Sequence, residues 1–200
     1  MGAIRGLILF GFSVCIWAQL SQSPPGASTE KRSYAGSWWA GADSEERAGL
    51  LNGVADCMTW TVHKPGFNAT PEQLTDQITR FYQVHPESKN LLVIDVWQRV
   101  EGRAKPVKDK SAEAWQNPHW YLNGEWWMQV SERQQFGFVE GYLWCMKTQV
   151  SSTAESYPRS TNSYRQQIDG FIKANPRLAN EAVADTLRRF RERVQTVAPK

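Results

Sequence analysis

Apolar residues recur along this chain at helical spacing, in two matching sets. Leu74, Ile78 and Phe81 share one helix face. They follow Thr70-Pro71-Glu72-Gln73, which reads as an N-cap, an N1 proline and an N3 glutamine. Ile168, Phe171 and Ile172 play the same part further on. A third apolar helix is predicted from Pro86 to about Arg99, carrying Leu91, Leu92, Ile94 and Val96. Its counterpart starts at Asn175-Pro176, a cap followed by N1 proline, and carries Leu178, Ala182, Val183 and Leu187. The first helix of each set starts at Asp43 and at Ser131, with Glu46 and Gln134 three residues on as capping boxes, and runs to about 60 and 147. No alternating strand pattern is sustained, so the prediction is an all-α fold with three helices per half. The Trp-rich run ahead of each first helix is predicted to be a short extended or turn segment.

The two sets align residue by residue. At an offset of 88, Trp38-Trp39 meet Trp126-Trp127, Gly49 meets Gly137, Gly53 meets Gly141, Cys57 meets Cys145 and Met58 meets Met146. Further on the offset becomes 90, and Gln77, Ile78, Phe81, Pro86, Asn90, Val93, Asp95 and Arg99 meet Gln167, Ile168, Phe171, Pro176, Asn180, Val183, Asp185 and Arg189. Agreement in order at rare Trp, Cys and Pro positions reads as a tandem duplication. The repeats span 34–101 and 121–195, joined by a charged linker over 102–120. The unit is too long and the copies too few for a solenoid.

Gly49, Gly53 and Cys57 lie at i, i+4 and i+8, on one helix face, as do Gly137, Gly141 and Cys145. Glycine costs up to about 1 kcal/mol in a helix interior, so two per helix suggest close approach of another backbone. The expected arrangement packs the two Gly-Gly-Cys helices across a pseudo-two-fold axis, with Cys57 bonded to Cys145. Two free buried thiols are the alternative.

The ends set the compartment. Residues 1–18 read as a signal peptide: Arg5 supplies the positive start, Leu7 to Ile16 a short apolar core, and Ala18 a small residue at the cleavage point. Residues 19–33 are polar and rich in Pro and Ser, a disordered leader. Cleavage removes Cys15 and leaves two cysteines, an even count that suits one disulfide in an exported protein. No later stretch is long and apolar enough for a membrane span. A periplasmic or secreted location follows. The net charge of +3 gives no footing for a nucleic-acid binder.

With the repeat unit in view, residues 48–101 resemble the Rap/Tai family of amidase-immunity domains. Gly49, Gly53 and Asp56 match its first helix, Pro65-Gly66, Thr70, Gln73 and Leu74 its Pro-Gly-Thr-Gln-Leu turn, and His85-Pro86-Glu87 its helix end. The second half matches through Gly137-Phe138, Gly141, Phe171 and Asn175-Pro176. The resemblance implies a small all-α exported fold and, as an expectation, binding and inhibition of a peptidoglycan amidase. Family members usually carry a cysteine just before the Pro-Gly turn, where this chain has Thr61-Val62-His63. They typically act as dimers of one domain, and the resemblance implies that this chain fuses such a pair.

Candidate chemistry is sparse. His63, His85 and His119 show no metal-binding spacing, and no nucleophile elbow, P-loop or dinucleotide motif occurs. No catalytic residue, metal or cofactor is therefore assigned. Asp95 and Asp185 are read as i,i+4 partners of Arg99 and Arg189. The Trp pairs Trp38-Trp39 and Trp126-Trp127 are the candidate binding surface, with core filling as the other reading. The functional expectation is a non-enzymatic periplasmic protein-binding module with an exported partner. The alternative is a cell-envelope glycan or peptidoglycan binder using exposed Trp.

Overall fold

The computed structural model describes residues 33–63, 69–101, 117–150 and 157–197, with side chains to 191. The signal peptide, nearly all of the leader, the Pro65-Gly66 turn and most of the linker lie outside the described residues. The described chain is all-α. Its helices are α1 (Gly36–Gly41), α2 (Ser44–Asp56), α3 (Pro71–Val84), α4 (Val93–Glu101), α5 (Gly124–Gln129), α6 (Glu132–Gln149), α7 (Thr161–Ala174) and α8 (Val183–Val197). Short 3-10 turns at Pro86–Ser88, Pro118–Trp120 and Pro176–Leu178 join some of them. Only two isolated bridges, Ala35 with Leu92 and Asn123 with Ala182, have strand-like pairing among the described residues.

The centre is the α2–α6 contact. Asp43 caps α2 by accepting from Glu46 N–H at 2.8 Å, and Ser131 caps α6 by accepting from Gln134 N–H at 3.2 Å. The two caps also meet each other: Arg133 pairs with Asp43, and the Ser131 hydroxyl donates to Glu45 at 2.7 Å. At the other end Cys57 and Cys145 form a disulfide, their Cα atoms 6.2 Å apart. The helices therefore run parallel, joined at both ends. Between the joints the backbones touch. A Cβ at Gly49 would lie 2.9 Å from Phe138 N and closer still to the Gln134 carbonyl. One at Gly53 would lie 2.6 Å from Tyr142 N and closer to the Phe138 carbonyl. Gly137 and Gly141 face the Glu46 and Leu50 carbonyls in the same way.

The outer helices pack on this pair through one continuous core that includes Leu50, Leu74, Ile78, Val96, Trp97, Phe138, Tyr142, Ile168 and Leu187. Thr70 and Gln73 form the reciprocal capping box of α3.

Several elements differ from the sequence reading. Both Trp runs are short helices, α1 and α5, rather than extended segments, because a backbone strap fixes each. Gly36 N–H donates to Leu91 O and Ser37 N–H to Lys89 O, at 3.2 and 3.0 Å. Val93 N–H donates to Tyr34 O at 2.7 Å. In the second half the corresponding bonds run from Gly124 to Glu181, Glu125 to Ala179 and Val183 to Leu122, at 3.1, 2.9 and 2.9 Å. These bonds also delay the third helix of each half. The pre-proline residues His85 and Asn175 stand at ψ 65° and 64°, outside the helical region. A 3-10 turn follows each, and the α-helix begins only at Val93 or Val183. Asn175 caps no following helix; its Nδ2 donates back to Phe171 O at 2.8 Å. The described end of the linker, residues 117–120, is not a solvated tether: it packs into the body of the protein, with Pro118 and His119 buried.

Candidate functional site

The buried linker end builds the most unusual constellation in the molecule. α2 continues past Asp56 as one π turn, Cys57–Thr61, closed by Val62 N–H donating to Cys57 O at 3.1 Å. Such wide turns often mark functional positions because they re-aim the side chains that follow. Here the turn swings Trp60 flat onto His119, ring centroids 4.0 Å apart and planes 5° from parallel. Trp120 meets both rings edge-on, at 5.5 Å from Trp60 and 5.2 Å from His119.

His119 is 0% exposed, yet both its ring nitrogens face carboxylates. Nδ1 lies 2.8 Å from Asp56 Oδ1, and Nε2 lies 3.2 Å from Asp185 Oδ2. Two ionised carboxylates accept only from an imidazole protonated on both nitrogens. Burial works against that charge, but the hydrogen bonds to Asp185 and Asp56 outweigh it and push His119 up to about 9. The bond to His119 holds Asp185 below the usual carboxylate range, against partial burial. Burial pushes Asp56 up, against the pull of His119, and its Oδ2 has no hydrogen-bond partner.

The cluster continues outward. Arg188 sits 3.5 Å from Asp185 and donates to Thr61 Oγ1 at 3.2 Å, and Thr61 Oγ1 lies 3.3 Å from the Tyr142 hydroxyl. Two carboxylates face an imidazolium and a guanidinium, so formal charge balances. Asp185 is thus a partner of His119 and Arg188, not of Arg189 as the i,i+4 spacing suggested; Arg189 pairs with Glu181 and lies over the Phe171 ring.

This arrangement is a clamp. An imidazolium with no exposed surface and both nitrogens occupied has no lone pair to accept a substrate proton. What it does is tie the 118–122 turn to α2 and α8 at once. The turn in turn displays Trp120 and Tyr121, 55% and 58% exposed.

The sequence-based binding surface lies elsewhere. Trp39 and Trp127 are 1% and 0% exposed, and Trp38 and Trp126 are half-buried against the core. Trp39 Nε1–H donates to Thr79 Oγ1 at 3.0 Å, and the Trp127 ring packs edge-on against Phe138 at 6.3 Å. Trp39 and Trp127 therefore fill the core rather than form a contact surface, as their repetition in both halves allows. Of the clamp residues, Asp185 repeats as Asp95, but Asp56 and Trp60 have no like counterpart, and His119 lies in the linker between the repeats. At the 88-residue offset Asp56 corresponds to Trp144 and Trp60 to Thr148. A lone acid in the otherwise apolar Val54-Ala55-Asp56-Cys57-Met58 run was the available signal.

No helix among the described residues is long and apolar enough to cross a membrane. Comparisons with protein-family models, curated proteins and solved structures find no match to this chain.

Proposed function

We propose that this chain is a non-enzymatic binding module of an oxidising, exported compartment, and that its contact face is the turn carrying Trp120 and Tyr121. The observation that carries the reading is the pairing of exposure with rigidity. Two adjacent aromatic rings stand more than half in solvent on a turn anchored by a fully buried, doubly bonded histidine. Aromatic anchors on a pre-organised element bind with little entropy cost and are typical centres of protein interfaces. The disulfide supports export, since such bonds persist in oxidising compartments. The matching straps in the two halves support reading them as fused copies of one unit related by a pseudo-two-fold. The family resemblance suggests a peptidoglycan amidase as the partner class.

The test is capture from a cell-envelope extract with wild type and Trp120→Ala, alongside thermal melts of both. The reading expects a stoichiometric exported protein partner that the variant loses while keeping its melting temperature. Added to that partner, if it is a cell-wall amidase, the wild type slows hydrolysis and Trp120→Ala does not. A second reading, a glycan binder, uses the same exposed rings as a stacking surface for sugar faces. Retention on isolated cell wall that is lost in Trp120→Ala, with no protein captured, favours it. Equal capture by wild type and variant refutes both.

A further inference from the structure

Beside the clamped turn lies a cleft of about 140 Å³ lined by Asn52, Glu72, Pro118, Tyr121, Trp126 and Gln134, with Leu122 closing the wall. We propose that this cleft binds a primary ammonium carried on an alkyl chain, the chemistry of a lysine or other diamino-acid side chain. The proposal deepens the binding-module reading and rests on it for the partner, since the cleft and the contact face share Tyr121.

Asn52 on α2 carries most of the argument. It is 3% exposed, and its Oδ1 is shielded from bulk water with no hydrogen-bond partner. A buried acceptor left unpaired is unfavourable, and a donor brought to it by a ligand gains more than one offered to solvent. Glu72, exposed in the first turn of α3, makes no ion pair among the described residues and adds a negative charge to the lining. Tyr121 and Trp126 supply ring faces, which attract a cation and pack against methylene groups. An acceptor, a carboxylate and two aromatic rings suit an ammonium on an apolar stem. They disfavour an anion, because no cationic side chain lines the cleft among the described residues.

The test is a fluorescence titration, since Trp126 lines the cleft. The probes are Nα-acetyl-lysine N-methylamide, the norleucine analogue lacking the amine, and free diaminopimelate. The proposal expects a saturable change with an amine-bearing probe and at least about tenfold weaker binding of the norleucine analogue. Asn52→Leu, which removes the orphan acceptor without adding a polar group, should weaken the amine probe at least about tenfold at an unchanged or higher melting temperature. Glu72→Gln should weaken it less and flatten its salt dependence. Preference for the blocked lysine assigns the ligand to a protein segment, and preference for diaminopimelate assigns it to a cell-wall peptide. No saturation by about 10 mM, equal binding of norleucine, or full binding by Asn52→Leu overturns the proposal. Trp120 does not line the cleft, so Trp120→Ala should leave the amine probe unaffected. Partner capture that depends on Trp120, together with a silent cleft, would overturn this inference alone.

Discussion

Replacing His119 by alanine should be the most damaging single change outside the α2–α6 contact, and its effect should depend on pH. The substitution leaves the Asp56 carboxylate fully buried with neither oxygen bonded, because Oδ2 already has no partner. Removing one member of a buried pair costs about 3–5 kcal/mol. The pH dependence follows from proton linkage. The folded His119 is pushed up to about 9 from an ordinary value of 6.5, so its contribution is complete below pH 6.5, declines above it, and is gone once pH passes about 9. The shift corresponds to about 3 kcal/mol. Urea unfolding followed by far-UV circular dichroism at pH 6, 7.5 and 9.5 measures it, with the difference between wild type and the Asp56→Leu, His119→Leu double variant as the readout, since in His119→Ala alone the stranded Asp56 adds a titration of its own. That difference should shrink steadily across the series. The double variant Asp56→Leu with His119→Leu should recover most of the loss, since an apolar replacement of both partners removes the stranded charge. Parallel pH curves for wild type and the double variant, or a loss below about 1 kcal/mol at pH 6 in His119→Ala, would refute the clamp.

Further outcomes follow from the same geometry. Gly53→Ala should destabilise by about 3 kcal/mol or more, because its Cβ meets the Phe138 and Tyr142 backbone rather than a movable side chain. Gly170→Ala, in open space on the exposed face of α7, should instead stabilise by up to about 1 kcal/mol in the same unfolding assay. Changing both Cys57 and Cys145 to Ala opens a cross-link spanning 88 residues and should lower stability by at most about 4.6 kcal/mol in the chain-entropy treatment, read from the urea midpoint. Trp39→Phe should cost about 1–2 kcal/mol by leaving the Thr79 hydroxyl without its indole donor, and a melt that does not move would contradict the core role assigned to it.

How far the sequence speaks depends on the range of the interaction. The capping box at Thr70, the parallel glycine faces of α2 and α6 and the apolar stripe of α3 are local patterns, and helical periodicity exposes them directly. The Cys57–Cys145 bond was legible because an internal repeat aligns the two cysteines. His119 was not legible. Its partners Asp56 and Asp185 lie 63 and 66 residues away in sequence, and nothing near Asn117-Pro118-His119-Trp120 marks the histidine as buried. The π turn after Asp56 was hidden for a related reason: the sequence continues with helix-compatible residues, and tertiary contacts of Trp60 and Thr61 select the wider turn. The helical form of the two Trp runs escaped as well, since backbone straps to residues more than 50 positions on set it. Repetition of the Trp pairs pointed to core filling, because residues kept in both halves serve the shared core, and the binding-surface assignment went against that cue. The residues that break the repeat, Asp56, Trp60 and His119, build the clamp behind the exposed turn.

The central claim is that the clamped turn is where this molecule touches its partner. Site-specific photo-crosslinking in intact cells tests it most directly, with the photoreactive group at Tyr121 and, as an equally exposed control, at Val84 on α3. The account predicts one discrete adduct with an exported macromolecule from position 121 and none from position 84. No adduct from 121, or the same adducts from both positions, would contradict it.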